Sequence, residues 1–239
     1  MPLDLVLQNP AIWRGDQYAK VVVESVPTGF VELDMQLPGG GWPQAALTEI
    51  LTNQRGIGEL RLLAPALVRL SHEEKWIVLV APPHLPYAPG LESLGLNLAR
   101  MVLVRTKSDA ESLWAAERCL RSGSCAAVLA WTGAGSQQTI RRLQLAAEEG
   151  KGFGVVFGPT LNAALPSPAP LRIQLTADRE KLQLQIIKRR GGGWAPPLSL
   201  NVSRSQRNRI GRAATNIPGI HATPTRPSPR LHRLRQGLA

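Results

Sequence analysis

Few side chains in this 239-residue chain are placed by type and spacing to do chemistry, and most of those that are belong to arginine. Lys188-Arg189-Arg190 stand together before Gly191-Gly192-Gly193. Eight more arginines (Arg204, Arg207, Arg209, Arg212, Arg226, Arg230, Arg233 and Arg235) fill the last 36 residues, with no Lys, Asp or Glu among them. The planar fork of a guanidinium pairs bidentately with phosphate or carboxylate, so both groups are candidates for an anion or partner contact. The first group reads equally as a solvated basic strand end, and the second as a solubilising tail. His84, in Ala81-Pro82-Pro83-His84, is a lone histidine in a proline-rich loop and reads as a loop residue rather than a base. Cys119 and Cys125 have no histidine at metal-ligand spacing and read as reduced thiols packed near a helix end and a strand start, so no structural metal is expected.

These residues need a scaffold. With 44% hydrophobic residues the chain can bury one full core, and one globular domain with tails is expected. No apolar run approaches a membrane span, and Met1-Pro2-Leu3-Asp4 lacks the basic start of a secretory signal, which points to a cytoplasmic address. Eight of the eleven net positive charges lie in the tail beyond residue 203, so the basicity belongs mainly to it. Its Arg, Pro, Ser and Thr composition predicts disorder.

Between residues 46 and 157 apolar runs alternate with helix-like segments, the signature of βαβ units around a mostly parallel sheet. Strands are expected at residues 46–51, 76–81, 101–105, 126–131 and 154–157. Ser108 and Glu111 form an S-x-x-E capping box that opens a helix carrying Leu113, Ala116 and Leu120, stopped by Gly123. A second helix spans about residues 136–149, with Ile140, Leu143 and Ala147 on one face and Arg141, Gln144 and Glu148 on the other. A third, after Gly58, carries Leu60, Leu63, Leu67 and Leu70 and should be kinked or shortened by Pro65. The four prolines of residues 158–170 predict a loop. Alternation returns at residues 171–175 and 182–186 as two antiparallel strands with a turn near residues 177–180, and a short strand is expected at residues 198–202.

Residues 26–43 carry Thr28-Gly29, then Leu33-Asp34, then Gly39-Gly40-Gly41, and lead into the first core strand. The glycine triplet alone is a plain turn; in that company the segment resembles the entry to RecA-family ATPase domains. The resemblance implies an α/β fold with a RecA-like, mostly parallel sheet flanked by helices, and a phosphate-binding G-x-x-x-x-G-K-[ST] loop after the strand that ends Glu49-Ile50-Leu51. That loop needs backbone amides to cradle phosphate, Lys to reach the β and γ phosphates, and a hydroxyl for Mg²⁺. The chain has Thr52-Asn53-Gln54-Arg55-Gly56-Ile57-Gly58-Glu59 instead. Thr52 and Ile57 replace the two glycines, Gly58 the lysine, and Glu59 the hydroxyl residue. A carboxylate facing phosphate at about 4 Å is repelled by roughly 4 kcal/mol at an effective dielectric near 20. The family's catalytic glutamate falls at Ala81-Pro82-Pro83, and its Mg²⁺-associated aspartate at Trp131. A degenerate P-loop, no catalytic residue, no cofactor and no metal are the expectation.

Among degenerate RecA-like proteins the chain looks most like the ImuA group, over about residues 10–203, including Ile12-Trp13-Arg14-Gly15. That resemblance implies a non-catalytic accessory role in SOS-induced translesion DNA synthesis. The implied partners are an ImuB-like inactive Y-family polymerase homologue and an error-prone replicative-type polymerase, with association with RecA or self-association also open. Contact with DNA would be indirect or through the tail. The alternative is a SulA-like SOS inhibitor of cell division that binds FtsZ. The implied organisation is an N-terminal arm (1–25), a RecA-like pseudo-ATPase domain (26–203) and a tail (204–239). Candidate contact residues are Lys188, Arg189, Arg190, Arg204, Arg207, Arg209 and Arg212.

Overall fold

The computed structural model describes residues 24–133, 135–178 and 181–202. Most of the arm and all of the tail, with Arg204, Arg207, Arg209 and Arg212, lie outside the described residues. In chain order the elements are β1 (Ser25–Val26), α1 (Val31–Asp34), β2 (Trp42–Pro43), β3 (Ala46–Leu51), α2 (Glu59–Ser71), β4 (Trp76–Val80), α3 (Ala88–Ser93), β5 (Met101–Val104), α4 (Asp109–Arg121), β6 (Cys125–Trp131), α5 (Gln137–Gly150), β7 (Phe153–Gly158), β8 (Leu171–Asp178), β9 (Lys181–Lys188) and β10 (Leu198–Leu200). Eight of these strands form one sheet in the order β10-β9-β8-β3-β7-β6-β4-β5. The run from β8 to β5 is parallel, and β9 and β10 are added antiparallel. The expected mixed α/β sheet is therefore present.

Alternation along each strand divides the core into two layers. Ile77 and Leu79 of β4 join Leu62, Leu63, Ala66, Leu67 and Leu70 of α2 on one face. Val78 and Val80 join Ala116 and Leu120 of α4 and Ile140, Leu143 and Ala147 of α5 on the other. Strands buried on both faces read as continuous apolar runs, which is why they were legible. No helix among the described residues is long and apolar enough to cross a membrane.

The local signals mostly hold. The Ser108 hydroxyl accepts the Glu111 amide at 3.2 Å, while the Glu111 carboxylate reaches one residue further back than in a standard box, to the Lys107 amide at 2.7 Å. Helix α2 runs through Pro65 without a break. The Pro65 ring packs where a side chain on Gly29 would be: a Cβ there would stand 2.5 Å from the Pro65 Cβ, and Gly29 has φ +86°. Thr28 and Asp34 meet as well, the Thr28 amide donating to Asp34 Oδ1 at 2.8 Å. The Thr-Gly and Leu-Asp pairs thus brace the entry segment against α2. Gln144 departs from expectation. It is buried, and its Oε1 accepts the Leu47 amide at 2.8 Å, just before the β3–β8 register begins at Thr48.

A buried ion pair holds the centre. Glu49 and Arg172 are register partners on β3 and β8, with Arg172 Nε 2.8 Å from Glu49 Oε2, and both side chains are almost wholly buried. The rest of the guanidinium donates to the carbonyls of Asn162 (2.6 Å), Ala163 (3.4 Å) and Leu165 (2.8 Å). These donors pin the proline-rich connection, whose residues Thr160–Ala164 form a 3-10 turn. Replacing Arg172 alone by Met strands a buried carboxylate and should lower the unfolding free energy by about 3–5 kcal/mol. Pairing it with Glu49→Leu should recover part of that loss in urea titrations, the three loop carbonyls accounting for the remainder.

Candidate functional site

Parallel strands bring their carboxyl ends to one edge, where ligand crevices of open α/β sheets lie. Here the loops after β3, β4 and β5 and the ends of β6 and β7 surround a cavity of about 540 Å³. Residues 52–55 and Glu59 form one wall; Ala81, Pro83 and residues 106–109 form another; Trp131 and Phe157 stack at 4.5 Å between ring centroids.

The loop after β3 satisfies itself. The Thr52 hydroxyl accepts the Gln54 amide at 3.1 Å, Asn53 Oδ1 accepts the Thr160 amide at 3.0 Å, and Gln54 Oε1 accepts the Ala177 amide at 2.9 Å. Gly56 and Gly58 lie at φ +69° and +109°, conformations that free their amides to converge. Both amides are taken by one side chain. Glu59, the first residue of α2, accepts from Gly56 on Oε1 and from Gly58 on Oε2, each at 3.1 Å, and is only 6% exposed. An anion at a helix N-terminus is favourable whatever its source. The sequence places this carboxylate opposite a phosphate; in the structure it lies in the amide cradle itself.

The remaining positions gather unevenly. Ala81, just after β4, lies at φ +50°, a strained angle for a residue with a Cβ, and lines the cavity together with Pro83, whereas His84 is exposed and does not. Trp131 lies at the cavity, followed by Thr132, whose Oγ1 is buried without a hydrogen-bond partner. Asp109 also lines the cavity, at the start of α4 and against Gly133, where a Cβ would come 2.3 Å from its Oδ2. Reading along the chain missed this carboxylate because it arrives from the β5–α4 loop, and its one signal is its place just after the Ser108 cap.

Lys188, Arg189 and Arg190 lie away from the cavity. Strand β9 is antiparallel to β8 and pairs Lys188 with Arg172 near the start of β8, which carries the triplet to the opposite edge of the sheet. Lys188 donates to the Ser167 carbonyl at 2.6 Å. The Arg189 guanidinium donates to the carbonyls of Gln36, Gly192 (3.2 Å) and Trp194 (3.4 Å), clamping the glycine loop. Arg190 is exposed.

A family model described as "Cell division inhibitor SulA" matches residues 46–154. Protein ImuA of Caulobacter vibrioides is 36% identical over 136 residues, covering 54% of this chain and 55% of that protein. The cell division inhibitor SulA of Serratia marcescens is 26% identical over 119 residues, covering 50% of this chain and 71% of that protein. The chain thus aligns with only about half the length of the ImuA relative. The crystal structure of SulA from Pseudomonas aeruginosa shares 30% identity and covers 47% of this chain and 97% of that one, with a TM-score of 0.41.

Removing the carboxylate tests the cradle. Glu59→Ala frees the amides of Gly56, which is exposed, and of Gly58, which is half-buried, so the loss should be modest, about 1–2 kcal/mol. Phosphate at tens of millimolar should then raise the melting temperature of the variant and leave the parent chain unmoved.

Proposed function

As the chain belongs with the ImuA- and SulA-related proteins, we propose that it is a non-catalytic accessory protein of damage-induced translesion synthesis, working as an adaptor beside an ImuB-like inactive polymerase homologue and an error-prone replicative-type polymerase. Its core is a RecA-like pseudo-ATPase domain. The parallel strand order supports that reading, with β3 between β7 and β8 and followed by the loop in the P-loop position. One observation carries it: the Glu59 carboxylate bonded to the Gly56 and Gly58 amides. A nucleotide phosphate would have to displace a buried, tethered anion at a position without the lysine that makes such binding favourable. Without phosphate grip, turnover has no starting complex, and selection can act only on surfaces.

One observation favours the ImuA-like role over the alternative. The SulA model ends at residue 154, so most of β7 and all of β8 to β10, with the Arg172 that ties β8 to Glu49 at the centre, fall outside it. The SulA-like reading, inhibition of division through FtsZ, keeps the support of the matched family model itself. The tail arginines and exposed Arg190 are assigned to electrostatic contact with an acidic partner surface or with DNA held by that partner.

The two readings separate in the cell and at the bench. Under the adaptor reading, deletion abolishes damage-induced mutagenesis, overexpression leaves cell length normal, and tagged full chain retains the ImuB-like protein but not FtsZ. Filamentation on overexpression together with FtsZ retention would replace it with the division-inhibitor reading. Replacing Arg204, Arg207, Arg209 and Arg212 by Gln should weaken the complex without DNA if the partner is their target. If DNA is the target, the salt slope of DNA binding should shrink by about 0.9 per lost phosphate contact.

A further inference from the structure

Among the described residues strand β5 closes one side of the sheet and pairs only with β4, so the backbone groups along its outer side have no strand partner there. Natural edge strands are blunted by charge, proline or a bulge because bare edges recruit further strands. Met101-Val102-Leu103-Val104 carries no such protection, and its register with β4 is regular over all four residues. Val102 and Leu103 point to opposite faces, yet both are exposed, at 39% and 37%. The helices therefore stop short of this edge on both sides, and an added strand would find apolar surface above and below it.

The flanks say what kind of strand fits. Residues 95–107 contain Arg100, Arg105 and Lys107 and no acidic residue. Arg100 is fixed at the amino end of β5, its guanidinium 5.6 Å over the Trp76 ring and 3.3 Å from the Glu74 carbonyl. Arg105 is exposed at the other end. A second copy of this chain fits poorly. Two-fold pairing of β5 with itself is antiparallel, and matching Met101 to Val104 of the other copy would set Arg100 against Arg105 at both ends, like charges opposite each other.

We infer that β5 is a docking edge for an extended partner segment, apolar on both faces and flanked by acidic residues, which adds to the sheet as a further strand. Main-chain hydrogen bonds supply affinity, contacts around Val102 and Leu103 select apolar side chains, and the cations at the two ends select acidic flanks. The inference deepens the adaptor reading by giving the adaptor a place to hold a partner, but it names a chemistry and can be tested without any particular partner.

The test uses the full chain and a fluorescein-labelled peptide, Asp-Glu-Ile-Val-Val-Ile-Glu-Asp, read by fluorescence anisotropy. Saturable binding is expected, weakened roughly tenfold or more when alternate peptide amides are N-methylated, and similarly when the acidic ends are exchanged for Lys. Leu103→Lys should abolish binding with the circular dichroism spectrum unchanged, and Arg100→Glu with Arg105→Glu should reverse the preference toward the Lys-flanked peptide. Equal binding of the N-methylated peptide, no saturation below a millimolar, or a concentration-dependent dimer of the parent chain that Leu103→Lys dissolves would each overturn the assignment. None of these outcomes bears on retention of an ImuB-like protein or FtsZ, so the docking edge can fail while the adaptor reading stands.

Discussion

The pair of hydrogen bonds that Glu59 accepts from Gly56 and Gly58 decides what the carboxyl edge of this sheet can do. A glycine-bent loop before a helix concentrates positive potential, and in any fold that potential demands an anion. The chain supplies one covalently. Because the carboxylate belongs to the helix it caps, its effective concentration is that of an intramolecular group, and a free anion competes at a disadvantage. The neighbouring bonds of Thr52, Asn53 and Gln54 extend the same logic, tying the loop to the β7–β8 connection and to β8 so that it does not rely on a ligand for its shape.

The closed edge changes the meaning of the other edges. The cavity keeps an aromatic stack, an unpaired Thr132 hydroxyl and the Asp109 carboxylate, while the Gly56 and Gly58 amides beside it are taken by Glu59. At the opposite edge Arg189 spends its donors on three carbonyls, which turns a glycine-rich segment into a clamped loop. At the lateral edge β5 pairs with β4 alone among the described residues.

Much of this was legible in the chain because the governing forces are local. Two-faced burial writes continuous apolar runs, so β3, β4 and β6 could be read almost to the residue, and the Ser108 cap needs only its neighbour three positions on. What escaped was decided by distant partners. Arg172 resembles any strand-end cation until Glu49, 123 residues earlier in the chain, is found beside it. Gln144 belonged by period to the solvent face, but an unpaired amide at Leu47 drew it inward. Glu59 stands out in the sequence as a carboxylate where the resembled phosphate loop carries a hydroxyl residue. Its bonds to Gly56 and Gly58 depend on two left-handed glycine conformations that spacing alone does not reveal.

The central claim is that the cradle is occupied by the chain's own carboxylate, and amide NMR of the intact protein addresses it most directly. Titrated with Mg-ATP into the millimolar range, the Gly56 and Gly58 amide resonances should stay where they are. In the absence of nucleotide, Glu59→Gln should shift both, since an amide oxygen is a weaker acceptor than a carboxylate. Saturable movement of the two glycine resonances at micromolar Mg-ATP in the parent chain would contradict the account and return the site to nucleotide chemistry.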